Sequence, residues 1–241
     1  MQGIDFNFTR RACGRMFSPK IGEGMAIFWL SMYFIVAMNI SFWGYVIDGV
    51  EITGARVFAA VMLLPVVLLI FHHLVFSLLL FPYTFKPVAI LLLLISSGAN
   101  FFMFRYKIYI DADMVRNVME TNAGETFDLI TPEFALWVLF GGILPATAVW
   151  RARIFYQPFW RMLAMRTVRI FGALLLLALI VFANFKPYAF LARNHNEARK
   201  LASPENYLYA VSKYFYAKSF ADVKFERIDP EARHEPRGGG A

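Results

Sequence analysis

The 241-residue chain is 59% hydrophobic and 17% charged, with 26 Phe, 11 Met and 5 Trp, whereas a soluble domain runs near half apolar and a quarter charged. That much apolar surface exceeds what one globular core hides, which excludes a disordered tail, and the single Cys13 excludes an internal disulfide framework. The net charge of +7 is spread in a way that reports membrane topology and no nucleic-acid partner.

The fold class read from these features is all-α, a polytopic membrane protein. Uninterrupted stretches without charge run over 24–47, 57–85, 87–104, 134–150 and 170–185. A bilayer core about 30 Å thick takes roughly 17–25 helical residues, so five transmembrane helices are expected. The fifth requires Arg169 and Lys186 to snorkel toward the headgroups. No small-residue cleavage site follows the first stretch, so it reads as a retained helix and not a removed signal peptide.

Ten basic residues fall on one side: Arg10, Arg11, Arg15 and Lys20 in the N-terminal arm, Lys86, and Arg151, Arg153, Arg161, Arg166 and Arg169 before the fifth span. The opposite loops carry Arg56, Arg105, Lys107 and Arg116 among many acidic residues. Lys and Arg counts decide orientation. The arm 1–23 is therefore expected in the cytoplasm, with the transmembrane domain over 24–186, its loop 105–131 outside, and 187–241 outside as an interfacial helix and linker.

In the loop, Tyr106 to Ile110 is aromatic and β-branched, hence extended. Asp111 or Asp113 then caps a short helix. Along it Asn117, Thr121 and Glu125 are spaced by four and Asp128 follows, a stripe roughly 80° wide at about 100° per residue. Met114 projects into the stripe and Val118 borders it. The stripe reads either as the solvated face of an interfacial helix or as an acidic floor where a carboxylate holds an ammonium group. Thr131-Pro132-Glu133 is a helix start, and Ser203-Pro204-Glu205 repeats it ahead of Tyr207, Leu208, Val211, Tyr214 and Phe215 at helical spacing, the pattern of a helix lying in the interface.

Within the spans, His72-His73 is the one ionisable pair. The adjacent positions point about 100° apart, so a buried, hydrogen-bonded histidine stands beside two alternatives, a haem ligand or a proton relay. Pro65 and Pro145 mark kinks, Gly141-Gly142 allows close helix packing, and Trp29, Trp43, Trp150 and Trp160 suit an aromatic belt.

The run Tyr109-Ile-Asp111-Ala-Asp113-Met114-Val-Arg-Asn117-Val-Met-Glu-Thr121-Asn-Ala-Gly-Glu125-Thr-Phe-Asp128-Leu129 resembles the periplasmic loop of bacterial lipid A phosphoethanolamine transferases, with its Met, then Asn-x-x-x-Thr-x-x-x-Glu, then Asp-Leu. Phe190-Leu-Ala-Arg193-Asn194-His195 and Pro204-x-Asn206 are similar to that family's stretch after span five. The resemblance implies a bacterial inner-membrane domain that receives phosphatidylethanolamine and lipid A. It places the N-terminus in the cytoplasm and the C-terminus in the periplasm, with short periplasmic interfacial helices. Asn117, Thr121 and Glu125 would bind the substrate, Asn117 and Glu125 holding the donor's ethanolamine headgroup and Thr121 either beside them or only bracing the helix. It further implies a link to polymyxin resistance through masking of a lipid A phosphate.

The family's catalytic half, with zinc and a nucleophilic Thr in a Gly-Glu-Thr-Ala-Arg segment, is not found in these residues. The four histidines, His72, His73, His195 and His234, supply no zinc set. The expectation is a membrane half with no cofactor and no catalytic residue of its own, inactive alone, partnered by a missing or separate periplasmic catalytic domain. The alternatives are a small transporter or channel subunit and a haem-bearing anchor.

Overall fold

A computed structural model describes residues 20–52, 54–120 and 130–221. A short strand β1 (Lys20–Gly22) leads into α1 (Glu23–Tyr33), a π-helical turn (Phe34–Met38) and α2 (Ile40–Gly49). Then come α3 (Ala55–Leu79), α4 (Phe85–Tyr106), α5 (Ala112–Glu120) and α6 (Pro132–Val138). A second π turn (Leu139–Ile143), α7 (Leu144–Arg151), β2 (Arg153–Phe155), α8 (Phe159–Ala183), α9 (Phe185–Asn194), α10 (Ala198–Leu201) and α11 (Glu205–Ala221) complete the order. Among the described residues, four helical stretches are long and apolar enough to cross a membrane: α3, α4, Pro132–Arg151 and α8. The pair Glu23–Met38 and Ile40–Gly49, bent by 56°, makes a fifth, in agreement with the five expected spans.

The bend in span one has a local cause. Asn39 leaves helical geometry, with φ −117° and ψ 28°, and the carbonyls freed there are met by side chains. Asn39 Nδ2 donates to the Phe34 carbonyl at 2.9 Å and Trp43 Nε1 donates to the Ile35 carbonyl at 2.7 Å. Inside a bilayer a freed carbonyl must find such a donor. Span four uses the same device. Pro145 has no N–H for the Gly141 carbonyl four residues back, and Tyr33 Oη donates to that carbonyl at 2.7 Å.

The π turn of span four carries Gly141-Gly142 against α4, as close packing by small residues requires. A Cβ at Gly142 would stand 3.1 Å from Ser97 Cβ and 3.3 Å from Leu94 Cδ2, and one at Gly141 would stand 2.9 Å from Ser97 Oγ. Gly142→Val is therefore expected to lower stability by about 1–3 kcal/mol through overpacking. Gly172→Val, where nothing lies within 4 Å, should leave it unchanged. Thermal unfolding of both variants in detergent checks the contrast.

Two apolar clusters hold the bundle. One gathers Ile27, Phe34, Phe76, Leu80, Phe85 and Leu93; the other gathers Phe42, Val46, Val61, Leu68, Met103, Leu191 and Leu201. The outer faces display Phe140, Val168, Phe171, Leu175 and Phe182, side chains suited to lipid.

Span five departs from expectation. Its helix begins at Phe159, not near residue 170, so Arg166 and Arg169 lie within it. The Arg169 guanidinium lies against Gly24 in the first turn of α1, where an added Cβ would collide with it. Arg166 is only 3% exposed. Its Nη2 donates to the Leu80 carbonyl, lies 3.5 Å from Glu23 Oε1, and the guanidinium sits 4.5 Å from the centre of the Phe81 ring. A buried charge in a membrane protein turns inward when a partner waits there, and Glu23 and the end of α3 supply it. Beside this cluster β1 pairs in parallel with β2, Lys20 opposite Arg153 and Gly22 opposite Phe155, tying the entry of span one to the loop before span five.

Candidate functional site

The extended stretch after α4 starts at Lys107, whose positive φ of 55° ends the helix. Asp111 then starts α5: its Oδ1 accepts from Met114 N at 3.1 Å and its carbonyl from Val115 N at 3.0 Å. Of the two caps read from sequence, Asp111 is the one used. Thr131 Oγ1 likewise accepts from Phe134 N at 3.2 Å, with Pro132 in the first turn.

Helix α5 is two-faced. Met114, Val115, Val118 and Met119 line a cavity of about 540 Å³ shared with Gly98 and Phe102 of α4, Phe134 of α6 and Tyr207 and Val211 of α11. The other side turns Asp113, Arg116 and Asn117 to the exterior. Arg116 and Asp113 form an exposed pair at 3.3 Å, of little energetic weight. Met114 belongs to the apolar face and not to the polar stripe. Asn117 is placed on the exposed face; Thr121, Glu125 and Asp128 lie outside the described residues. A second cavity of about 300 Å³ is lined by Ser41, Tyr45, Asp48, Lys107 and Tyr109 among others, so a carboxylate, an ammonium and two phenols border it. Tyr109 Oη donates to Glu197 Oε2 at 2.7 Å, which pushes the phenol up to about 12.

The tail after span five does more than lie in the interface. It returns into the bundle, where α11 packs against α5. Its first turns are buried at Asn206, Tyr207 and Ala210, whereas most side chains from Ser212 to Ser219 are exposed. Apolar periodicity registered the helix, but its burial was set by polar anchors outside that pattern. Ser203 N donates to Asn39 Oδ1 at 2.8 Å, Asn39 Nδ2 donates to the Ser203 carbonyl at 2.8 Å, and His72 Nε2 lies 2.7 Å from that same carbonyl. His72 Nδ1 faces the Leu68 carbonyl at 2.8 Å and Glu205 Oε1 at 3.4 Å. Asn206 Nδ2 donates to the Lys200 carbonyl at 3.0 Å, and Ser96 and Tyr207 share a hydroxyl–hydroxyl bond of 2.9 Å.

His72 is thus the buried, hydrogen-bonded histidine that the sequence suggested. Both ring nitrogens already face carbonyls, leaving neither for a haem iron. Burial pushes the Glu205 carboxyl up to about 8 and the Tyr207 phenol upward. Sequence reading passed over Asn39, Ser203 and Glu205 as anchors. The available signal was an amide at position 39 inside an otherwise apolar run. Among the described residues no three His, Cys, Asp or Glu side chains come together as a metal site.

Comparison with known proteins places this arrangement. The family model described as phosphoethanolamine transferase EptA/EptB matches residues 68–219. The chain belongs to the phosphoethanolamine transferase family. Within the family it is 28% identical over 219 residues to phosphoethanolamine transferase EptA of Salmonella typhimurium, covering 90% of this chain and 40% of that protein. It is 31% identical over 131 residues to phosphatidylethanolamine transferase Mcr-1 of Escherichia coli, covering 54% and 24%. The solved integral membrane lipooligosaccharide phosphoethanolamine transferase A of Neisseria meningitidis superposes with a TM-score of 0.79 at 27% identity, over 92% of this chain and 41% of that one. This family member is accordingly an integral membrane protein of the EptA type, spanning about two-fifths of its EptA relatives.

Proposed function

We propose that this chain is the membrane half of an enzyme that moves phosphoethanolamine from phosphatidylethanolamine to a lipid A phosphate, and that its part is to hold the donor lipid. The observation that carries this reading is the two-faced helix α5 over its cavity of about 540 Å³, within the usual size of ligand pockets, roughly 300–1,000 Å³. The apolar face takes an acyl chain. Asn117 on the polar side, together with Glu125, meets the headgroup, the carboxylate pairing with the ammonium by a charge-assisted hydrogen bond, and Thr121 has a supporting part. The basic side of the bundle faces the cytoplasm, which sets α5 and α11 at the periplasmic leaflet of the bacterial inner membrane.

In this reading the zinc and the nucleophilic Thr belong to the periplasmic catalytic domain, and residues 1–241 alone bind donor lipid without transferring its headgroup. In the whole transferase, Glu125→Gln or Asn117→Ala is expected to lower kcat/KM about 10- to 100-fold, the worth of one hydrogen bond to a charged group, with membrane insertion unaltered. Thr121→Ala should cost less. Transfer at full rate in both of the first two variants would remove Asn117 and Glu125 from the site.

A further inference from the structure

We propose a second lipid site at the opposite end of the bundle, where the cavity of about 170 Å³ between α1 and α8 holds the phosphate of one anionic phospholipid of the cytoplasmic leaflet. Gly22, Glu23 and Gly24 at the start of α1, with Gln157 and Arg169, line its polar part. The site does not depend on the transferase reading; only its leaflet follows from the orientation given above.

The argument is one of charge and of unmet donors. Arg166 and Arg169 face one carboxylate, Glu23, the sole acidic side chain among the described residues at this end. Of these two guanidinium charges, one is left without a carboxylate. Arg166, which does not itself line the cavity, donates Nη2 to the Leu80 carbonyl and holds it 3.5 Å from Glu23 Oε1, whereas Arg169 does line it and its Nε is buried without an acceptor among the described residues. Buried guanidinium N–H groups require acceptors, and basic pockets between membrane helices on the cytoplasmic side are where lipid headgroups supply them. A phosphodiester carries the one negative charge that balances the surplus.

The start of α1, an 11-residue helix without a side-chain cap, aims further N–H groups the same way. Two buried acceptors are also unmet, Glu23 Oε1 and Gln157 Oε1. They suit a headgroup that donates as well as accepts, which favours one bearing hydroxyl groups, such as phosphatidylglycerol. Met162, Met165 and the exposed Phe155 form the apolar wall toward the acyl chains.

The test is native mass spectrometry of the full chain, stripped of lipid in neutral detergent and titrated separately with phosphatidylglycerol and phosphatidylcholine. The expected result is one phosphatidylglycerol per chain, at least tenfold tighter than phosphatidylcholine. Arg169→Gln should weaken it tenfold or more, whereas Arg161→Gln, an exposed arginine of the same helix, should change it less than twofold. Equal binding of the two lipids by the unmodified chain overturns the proposal without recourse to any variant. Equal weakening by Arg161→Gln and Arg169→Gln also overturns it, because it reduces the effect to diffuse surface attraction. Displacement of the lipid by millimolar inorganic phosphate would overturn it in favour of a free-anion site.

Discussion

Replacing Asn39 by alanine should release the tail from the bundle. The amide accepts from Ser203 N and donates to the Ser203 and Phe34 carbonyls. Its loss strips buried backbone groups of Phe34 and of Ser203, the latter 164 residues from Asn39. An unsatisfied buried group costs about 1–3 kcal/mol. With His72 still facing the Ser203 carbonyl, the net cost to tail docking should be roughly 2–4 kcal/mol. Trypsin cleavage after Lys200 at fixed pH reads the outcome: about thirty- to several-hundred-fold faster cutting in Asn39→Ala than in the parent. Equal cutting rates would mean that the Asn39 amide does not hold α10 and α11 in place.

Tail docking should also weaken as pH rises. The Glu205 carboxyl sits buried, 3.4 Å from His72 Nδ1. Burial lifts it from 4.5 to about 8. A carboxyl raised in the docked state keeps its proton there and loses it on release. Docking is therefore fully supported below about 4.5 and loses support as pH climbs through about 8. Each pH unit inside that window is worth up to about tenfold in the docking equilibrium. Hydrogen exchange of the peptide containing 198–212, corrected for intrinsic rates, should show faster opening at pH 8 than at pH 6. In Glu205→Gln, which cannot ionise, the slope should vanish. A slope that survives this substitution would assign the proton to another group.

Both results bear on the proposed donor site, because α11 forms one wall of the cavity beside α5 through Tyr207 and Val211. A released tail opens that wall. Weakened lipid binding in Asn39→Ala would then follow from geometry, without any change in Asn117 or Glu125.

Much of this could be read from the amino-acid order because it depends on local chemistry. Long apolar stretches must be helices in a bilayer, since only helices and closed barrels satisfy their own backbone there. Thr131-Pro132 and Asp111 start helices because a side-chain oxygen next to free N–H groups needs no distant partner. The family resemblance on the run from Tyr109 to Leu129 rests on residue order alone, and the family is the one found by comparison.

The polar contacts made across great distances in the chain emerge only with the packed bundle. Nothing local to Asn39 says that it will bond Ser203, or that Glu205 will come to rest beside His72. Nothing around Arg166 names Glu23 and the Leu80 carbonyl as its partners, so hydropathy alone starts span five too late. A buried polar group must be satisfied, and the order of residues reveals the need without naming the group that meets it. Residue order sufficed for the number of spans, the helix starts at Asp111 and Thr131, and the family. The packed bundle decided where the tail docks and which charges turn inward, because those depend on which surfaces meet once the helices assemble.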